Sequence, residues 1–368
     1  MSPKPFHWQL LALALTTILA LSGCGGMVHE HADTDRSGNH GGRIFTDTPE
    51  ALWEYEAEAD IQAGPIRVRN LIIVGTEGGD LLALNRNRGE LVWRYAAEEA
   101  LWAAAASDGD KLYIGDAGGT IHAVDRRDGE PQWTVPGDAA ITASALLTPG
   151  GLIVADTGGQ VRHLRREDGE EIWSWHAGNS IYTAPSLHRD ELVYIGTLDG
   201  KVKALELQTG EPRWEAETGD AIYGAISLDN EWAYAASQDR SLTSYYITQG
   251  VRRWDNHTDG ANSTSPALGQ GQVYVGSHDQ RLYAFDEDAS HRVWRTGTGE
   301  DWVNAGPAVT RNAVVAGDAS GRLFAADPGS GELLWEWQGP AAVAGTPVPE
   351  DGRVYVSFRN GRIVALDD

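Results

Sequence analysis

The sequence predicts an all-β chain: an eight-bladed β-propeller of four-stranded blades spanning about residues 49–368. Three observations predict it. A tryptophan returns at a fixed interval, short strand-like runs fill the intervals, and the incomplete units at the two ends complete one another.

The recurring tryptophans are Trp53, Trp93, Trp133, Trp173, Trp214, Trp254, Trp294 and Trp335, in steps of 40, 40, 40, 41, 40, 40 and 41 residues. Between them runs a second string, "LIIVG", "KLYIG", "GLIVA", "LVYIG", "WAYAA", "QVYVG", "AVVAG" and "RVYVS". A third follows it, clearest in "GDLLALN", "GTIHAVD", "GKVKALE", "QRLYAFD", "GRLFAAD" and "GRIVALD". Self-similarity near 40 residues is the mark of a propeller array. The runs are short and rich in Val, Ile, Leu and Tyr, which favours strands. Turn strings such as "EGGD", "LDGK", "RDGE" and "QTGE" separate them. No stretch after residue 48 has helical periodicity. Four strands in about forty residues make one blade.

The last unit stops at "GRIVALDD", before its tryptophan, whereas "ALWEYEA" around Trp53 is an outer strand with no inner strands before it. Pairing the N-terminal outer strand with the C-terminal strands completes the eighth blade and leaves no open end. Each tryptophan follows a charged hairpin, as in "AVDRRDGEPQW". Placed beside the next blade, a Trp that buries ~150–250 Å² contributes up to about 4 kcal/mol at ~25 cal/mol/Å². The eight tryptophans therefore read as inter-blade clamps.

The spacing A-x-D-x-x-x-G-x-x-x-W in "AVDRRDGEPQW" resembles the tryptophan-docking motif of the PQQ-type propeller repeat, and the resemblance covers all eight units. That family includes quinoprotein dehydrogenases, which are enzymes, and BamB-type lipoproteins of outer-membrane β-barrel assembly, which are not. The dehydrogenases use a quinone, a Ca²⁺ held by acidic and amide side chains, a catalytic Asp and often a vicinal disulfide. Cys24 is the only cysteine here, so that disulfide is impossible, and the 40–41 residue spacing leaves no room for pocket-building insertions. No Ser-His-Asp, metalloprotease or P-loop motif stands out. The expectation is a non-enzymatic scaffold without cofactor, with PQQ and calcium belonging to the rival, a ligand-binding or dehydrogenase-like protein.

The N-terminus points to export. Residues 1–23 carry one Lys, an apolar core from about Leu10 to Leu21 and small residues before Cys24, the layout of a signal peptide. "LSGC" resembles a bacterial lipobox, which implies acylation of Cys24, and Gly25 after it, by the same resemblance, favours the outer membrane. The expected location is lipid-anchored and periplasm-facing, with periplasmic or outer-membrane proteins as partners. Residues 24–48 read as the lipidated Cys and a flexible tether, polar and Gly-rich over 25–42. The tether holds His29, His31 and His40 near acidic residues, weak candidates for a metal because no zinc-finger spacing is present. No metal site is expected.

Charge bounds the partners further. Lys+Arg total 29 against Asp+Glu 53, a formal net charge of −24, which disfavours nucleic acid.

One constellation remains. Before each innermost strand lies a short segment: "DIQAGP", "ALWAAA", "AITASA", "SIYTAP", "AIYGAI", "ANSTSP", "WVNAGP" and "AVAGTP". Two of its positions are always Ala, Gly, Ser or Thr, as crowding toward an axis requires. The position before them varies: Gln62, Trp102, Thr142, Tyr182, Tyr223, Ser263, Asn304 and Ala344. Trp102, Tyr182 and Tyr223, with Asn304 and the nearby Trp302, are the candidate binding residues at the channel mouth. The alternative is that these rings plug the channel.

Overall fold

The computed structural model describes residues 27–30, 32–288, 291–297 and 301–368, and every described element of regular structure is a strand. The strands form eight four-stranded antiparallel sheets. Blade 1 consists of Ile66–Val68, Leu71–Gly75, Asp80–Asn85 and Leu91–Ala96, counted from the innermost strand outward. Blades 2 to 7 repeat that order along the chain, ending at Leu333–Gln338. Blade 8 takes its three inner strands, Val348–Glu350, Arg353–Ser357 and Arg362–Asp367, from the C-terminus and its outer strand, Glu50–Glu56, from the N-terminus. The register of closure runs from Glu50 opposite Asp367 to Glu56 opposite Arg362.

The middle strands are buried on both faces, as at Leu71–Gly75, because each blade is sandwiched between two others. The core is accordingly eight layers, one per seam. Ile66, Ile73 and Leu81 of blade 1 pack on Leu112 and Ile114 of blade 2, and Ile363 and Tyr355 of blade 8 pack on Ile72 and Val74 of blade 1.

The charged hairpin preceding each tryptophan fits under the tryptophan of the blade before it. Trp93 Nε1 donates to Arg126 O (2.8 Å), and Trp173 Nε1 donates to Leu207 O (2.8 Å), the acceptors lying in the hairpins of the next blades. The hairpin glycine is what lets the ring lie close. Gly210 has φ +72°, and a Cβ there would fall 2.5 Å from the Trp173 ring, so the position demands both a left-handed conformation and no side chain. Seven seams make this hydrogen bond within the repeat, and six of them have the glycine; the hairpin under Trp254 reads "DEDASH" and has none. The eighth differs, because blade 8 has no hairpin between its third and outer strands. Trp335 Nε1 donates instead to Phe45 O (3.1 Å), and the Phe45 ring lies 5.2 Å from that of Trp335.

Phe45 belongs to the segment expected as a flexible tether. Over its described residues, from Met27 onward, that expectation is corrected: the segment is a strap packed across one face of the ring. The N–H of Ser107 donates to Val28 O (2.9 Å), and those of Leu187, Leu228, Leu268 and Val309 donate to the carbonyls of Thr34, Asp35, Ser37 and Gly38 at 2.6–2.9 Å. The N–H of Leu147 donates to His29 Nε2 at 2.9 Å. These six N–H groups hold one repeat position on the innermost strands of blades 2 to 7, so the strap adds a bonded edge to each in turn. The same position is Arg67 in blade 1 and Pro349 in blade 8. Proline has no N–H to give, and among the described residues the strap makes no backbone bond at either place.

The physical reason the strap escapes a reading by side-chain pattern is that its main chain makes most of the bonds. The principal side-chain exception is Arg36, fully buried at the ring axis. Its Nε donates to Pro185 O (3.2 Å), Nη1 to Glu30 O (2.5 Å), and Nη2 to Ser144 O (3.3 Å) and Ala145 O (3.1 Å). Asp33 holds the turn that aims it, accepting from Ser37 N at 2.8 Å and from Ser37 Oγ at 2.5 Å.

Candidate functional site

The innermost strands run from the variable segments at one mouth of the channel to the strap at the other. Small residues are required between. A Cβ on Gly345 would fall 2.1 Å from Gly64 N across the blade 8–blade 1 seam. The channel that remains is a well of about 190 Å³. Thr142, Tyr182, Tyr223, Ser263, Asn304 and Ala344, one from each of blades 3 to 8, line it near its mouth. Arg36 and Glu30 of the strap form its floor.

The structure brings three of the five candidate mouth residues into that well. Tyr182 and Tyr223 stand side by side on its rim, ring centroids 5.8 Å apart and edge to face, with 38% and 42% of their surface exposed. Asn304 donates through Nδ2 to Val343 O (2.9 Å), while its Oδ1 is buried without a partner. Thr142 Oγ1 is likewise buried and unpartnered. Trp102 and Trp302 are not among the wall residues. Both lie exposed on the same face, Trp302 at 52%, where it stacks on His278 at 4.7 Å. The rings therefore do not fill the channel; it is the strap, which the sequence reading missed as a structural element, that closes it.

Charge is concentrated at the floor. Burial pulls the Arg36 guanidinium down to about 10, and burial raises the Glu30 carboxyl against the opposing pull of Arg36. Four carbonyl oxygens rather than a carboxylate receive the guanidinium. His29, expected as a weak metal candidate, is buried and accepts from the Leu147 N–H. Burial and Arg36 hold it well below the usual histidine range, so it sits neutral. His40 lies in the strap, where its N–H donates to Val309 O (2.8 Å). His31 and Cys24 lie outside the described residues. Among the described residues, no three His, Cys, Asp or Glu side chains converge on a point that a metal ion would occupy.

One hydroxyl at the well meets an imidazole. Ser263 Oγ lies 2.8 Å from His278 Nε2, within reach of general-base activation. Gln238 Nε2 also donates to that hydroxyl, at 2.6 Å, and burial lowers the His278 pKa. No carboxylate among the described residues is bonded to His278 to orient it as a triad requires.

Comparison with known proteins bears on this arrangement. The family described as "Outer membrane protein assembly factor BamB" matches residues 41–175, 78–296 and 278–368. The outer membrane protein assembly factor BamB of Alkalilimnicola ehrlichii is 28% identical over 135 residues, 36% of this chain and 35% of that protein. The chain thus matches about a third of the length of that curated relative. Among solved structures, BamB from Moraxella catarrhalis superposes with a TM-score of 0.76 at 19% identity, covering 87% of this chain and 100% of that one. Quinohemoprotein alcohol dehydrogenase from Comamonas testosteroni superposes with a TM-score of 0.78 at 15% identity, covering 91% and 79%. At those identities the structural likeness concerns the fold, shared by scaffold and enzyme alike. The sequence match is what discriminates, and since it runs over residues 41–368, the chain belongs to the BamB family of outer membrane protein assembly factors.

Proposed function

We propose that this protein is a non-enzymatic propeller scaffold, held in the outer membrane by acylated Cys24 and facing the periplasm, that serves the assembly of outer-membrane β-barrel proteins. The observation that carries the reading is the match to the family over the whole propeller. The mouth supports it chemically. Half-exposed aromatic rings around a concave opening, Tyr182, Tyr223, Trp102 and Trp302, are the residue types that dominate protein–protein contacts. The protein partner docks there.

A quinone with calcium fits these walls poorly. Apart from the Asn304 amide and the two tyrosine rings they are hydroxyls and small side chains, and the one carboxylate, Glu30, lies at the floor beside Arg36. The reading therefore takes the site to work without cofactor. Two experiments test the proposal. Pull-down from detergent-solubilised outer membranes should capture β-barrel assembly proteins with the wild type and lose them in a Trp102→Ser, Tyr182→Ser, Tyr223→Ser triple variant that still folds. Capture unchanged by the triple variant moves the docking site elsewhere. Incubation with PQQ and Ca²⁺ should give no co-eluting quinone absorbance and no dye-linked alcohol oxidation, and both together would overturn the non-enzymatic reading.

A further inference from the structure

We propose that the strap-bearing face of the propeller lies against the lipid bilayer and that the aromatic mouth points away from it. The proposal rests on the acylation of Cys24 and goes beyond it, because it fixes which side of the disk the membrane meets.

The argument starts from Met27. It lines a cavity of about 670 Å³ with Pro65 to Arg69, Gly109, and Thr346 to Val348, the inner edges of blades 1, 2 and 8 on the strap face. Val28 is pinned beside it, donating to and accepting from Ser107 at 2.8 and 2.9 Å. Two residues, Gly25 and Gly26, separate Cys24 from Met27, and the three steps span at most about 10 Å. Three routes are conceivable for acyl chains starting so near. Around the rim they would have to pass four strands of a blade, three spacings of ~4.8 Å or about 14 Å, before turning toward the other face. Down the channel they would meet Arg36, which closes it with bonds to four carbonyls on blades 3 and 4 and on the strap itself. Outward from the strap face nothing bars them. A long flexible tether would let the disk tumble, but the strap removes that freedom by tying the segment to six blades.

The hairpins between third and outer strands open on the strap face, where the backbone N–H groups of Arg86, Arg126 and Glu287 donate to the carbonyls of Asn70, Asp110 and Gly271 in the neighbouring turns. In blades 1 to 3 these hairpins read "NRNRGE", "DRRDGE" and "RREDGE", whereas in blades 4 to 7 they contain no Arg or Lys. Arg88, Arg127 and Arg165 are exposed there. These arginines are paired with carboxylates of the same face, Arg88 with Glu90, Arg127 with Asp110, and Arg165 with Asp168 and Glu170, so the hairpins present no net positive charge and the orientation rests on the path of the anchor.

The test uses the absence of any cysteine other than Cys24. A single fluorophore is placed on Asn70→Cys or Asn230→Cys, both exposed on the strap face, or on Glu98→Cys or Asp138→Cys, both exposed at the mouth. Each acylated protein is reconstituted into phosphatidylethanolamine–phosphatidylglycerol vesicles with brominated lipid. Quenching should be at least twofold greater at Asn70 than at Glu98 or Asp138, with Asn230, across the ring from the anchor, between them. Equal quenching on both faces, or more at the mouth, overturns the orientation. The mass of the mature N-terminus is measured on the same samples. Unmodified Cys24 overturns the anchor and the orientation together, whereas acylated Cys24 with face-independent quenching overturns the orientation alone.

Discussion

Two fastenings hold the ring, one at its outer seams and one at its inner edge, and they are made of different material. The outer fastening is a side chain against a glycine: Trp173 on Gly210, Trp214 on Gly250, Trp294 on Gly331. The inner fastening is main chain on main chain, the strap's carbonyls receiving the N–H groups of Leu187, Leu228, Leu268 and Val309. The outer one is modular, repeated by each blade for its neighbour. The inner one is made once, by a segment with no repeat of its own. The difference teaches that a repeat protein can carry a non-repeating element that serves all its repeats together, and that the two meet at one point: Trp335, whose partner is the strap's Phe45.

The comparison can be broken by deletion. Removing residues 50–56 takes the outer strand from blade 8 and leaves Arg362–Asp367 as an open edge. The expected outcome is aggregation on size-exclusion chromatography rather than a lowered melt. Removing residues 27–45 should give a folded but weaker ring. The six inner-strand N–H groups that lose their strap acceptors, at ~1 kcal/mol each, correspond to a melting temperature lower by on the order of 10 °C. A truncation that melts with the full chain would mean the strap is laid on the ring without holding it.

Arg36→Met keeps the length of the side chain and strips the donors from four carbonyls. Its cost should be on the order of 3 kcal/mol in denaturant unfolding, about half the effect of losing the strap from one substitution. Arg36→Lys should recover part of it. A cost near zero would place the energy of the inner fastening in the backbone bonds alone.

The outer fastening is sharpened by one methyl group. Gly210→Ala sets a Cβ 2.5 Å from the Trp173 ring at φ +72°, and ~1–3 kcal/mol is expected. If the seams are modular, Gly331→Ala, which sets a Cβ 2.6 Å from the Trp294 ring three seams away, should cost the same and the double variant should show additivity. Strong coupling between these distant seams would show that strain travels round the ring.

The smallest effect expected is one of pH. His163 packs edge to face on Trp173 at 5.4 Å, and burial lowers it to about 4. A neutral histidine of this kind contributes its full stability above the unfolded value near 6.5. That contribution is lost as pH falls from there toward about 4, because the unfolded chain takes the proton first. In His163→Leu the loss is absent, so the melting temperatures of wild type and variant should diverge by a few degrees more at pH 7 than at pH 4.5. A constant difference would assign the histidine to packing only.

How much of this was legible follows from the same contrast. The tryptophans, the middle strands and the closure of "ALWEYEA" on "GRIVALDD" announce themselves because each is a side-chain pattern at period 40–41 or its interruption. Tyr182, Tyr223 and Asn304 stood out because their neighbours are uniformly small, and the fold sets all three in one well. The strap had no such voice. "HEHADTDRSGNHGG" reads as a solvated tether because its bonds depend on carbonyls that every residue owns, and only Val28, Ile44 and Phe45 hint at burial. A signal was nevertheless available in the arithmetic of the eighth tryptophan, since Trp335 needs an acceptor that no hairpin of blade 8 supplies.

Closure of the ring also sets a clock. Glu54 meets Arg362 across 308 positions of chain. Entropy grows only logarithmically with such a loop, so the finished ring loses little by it. Time is another matter, because contacts this distant in sequence form late. A chain made from its N-terminus holds the strand Glu50–Glu56 unpaired while blades 1 to 7 are synthesised, and its partner arrives with the last residues. Through that interval the earliest strand is an open β-edge. Folding of this protein ends where its sequence begins.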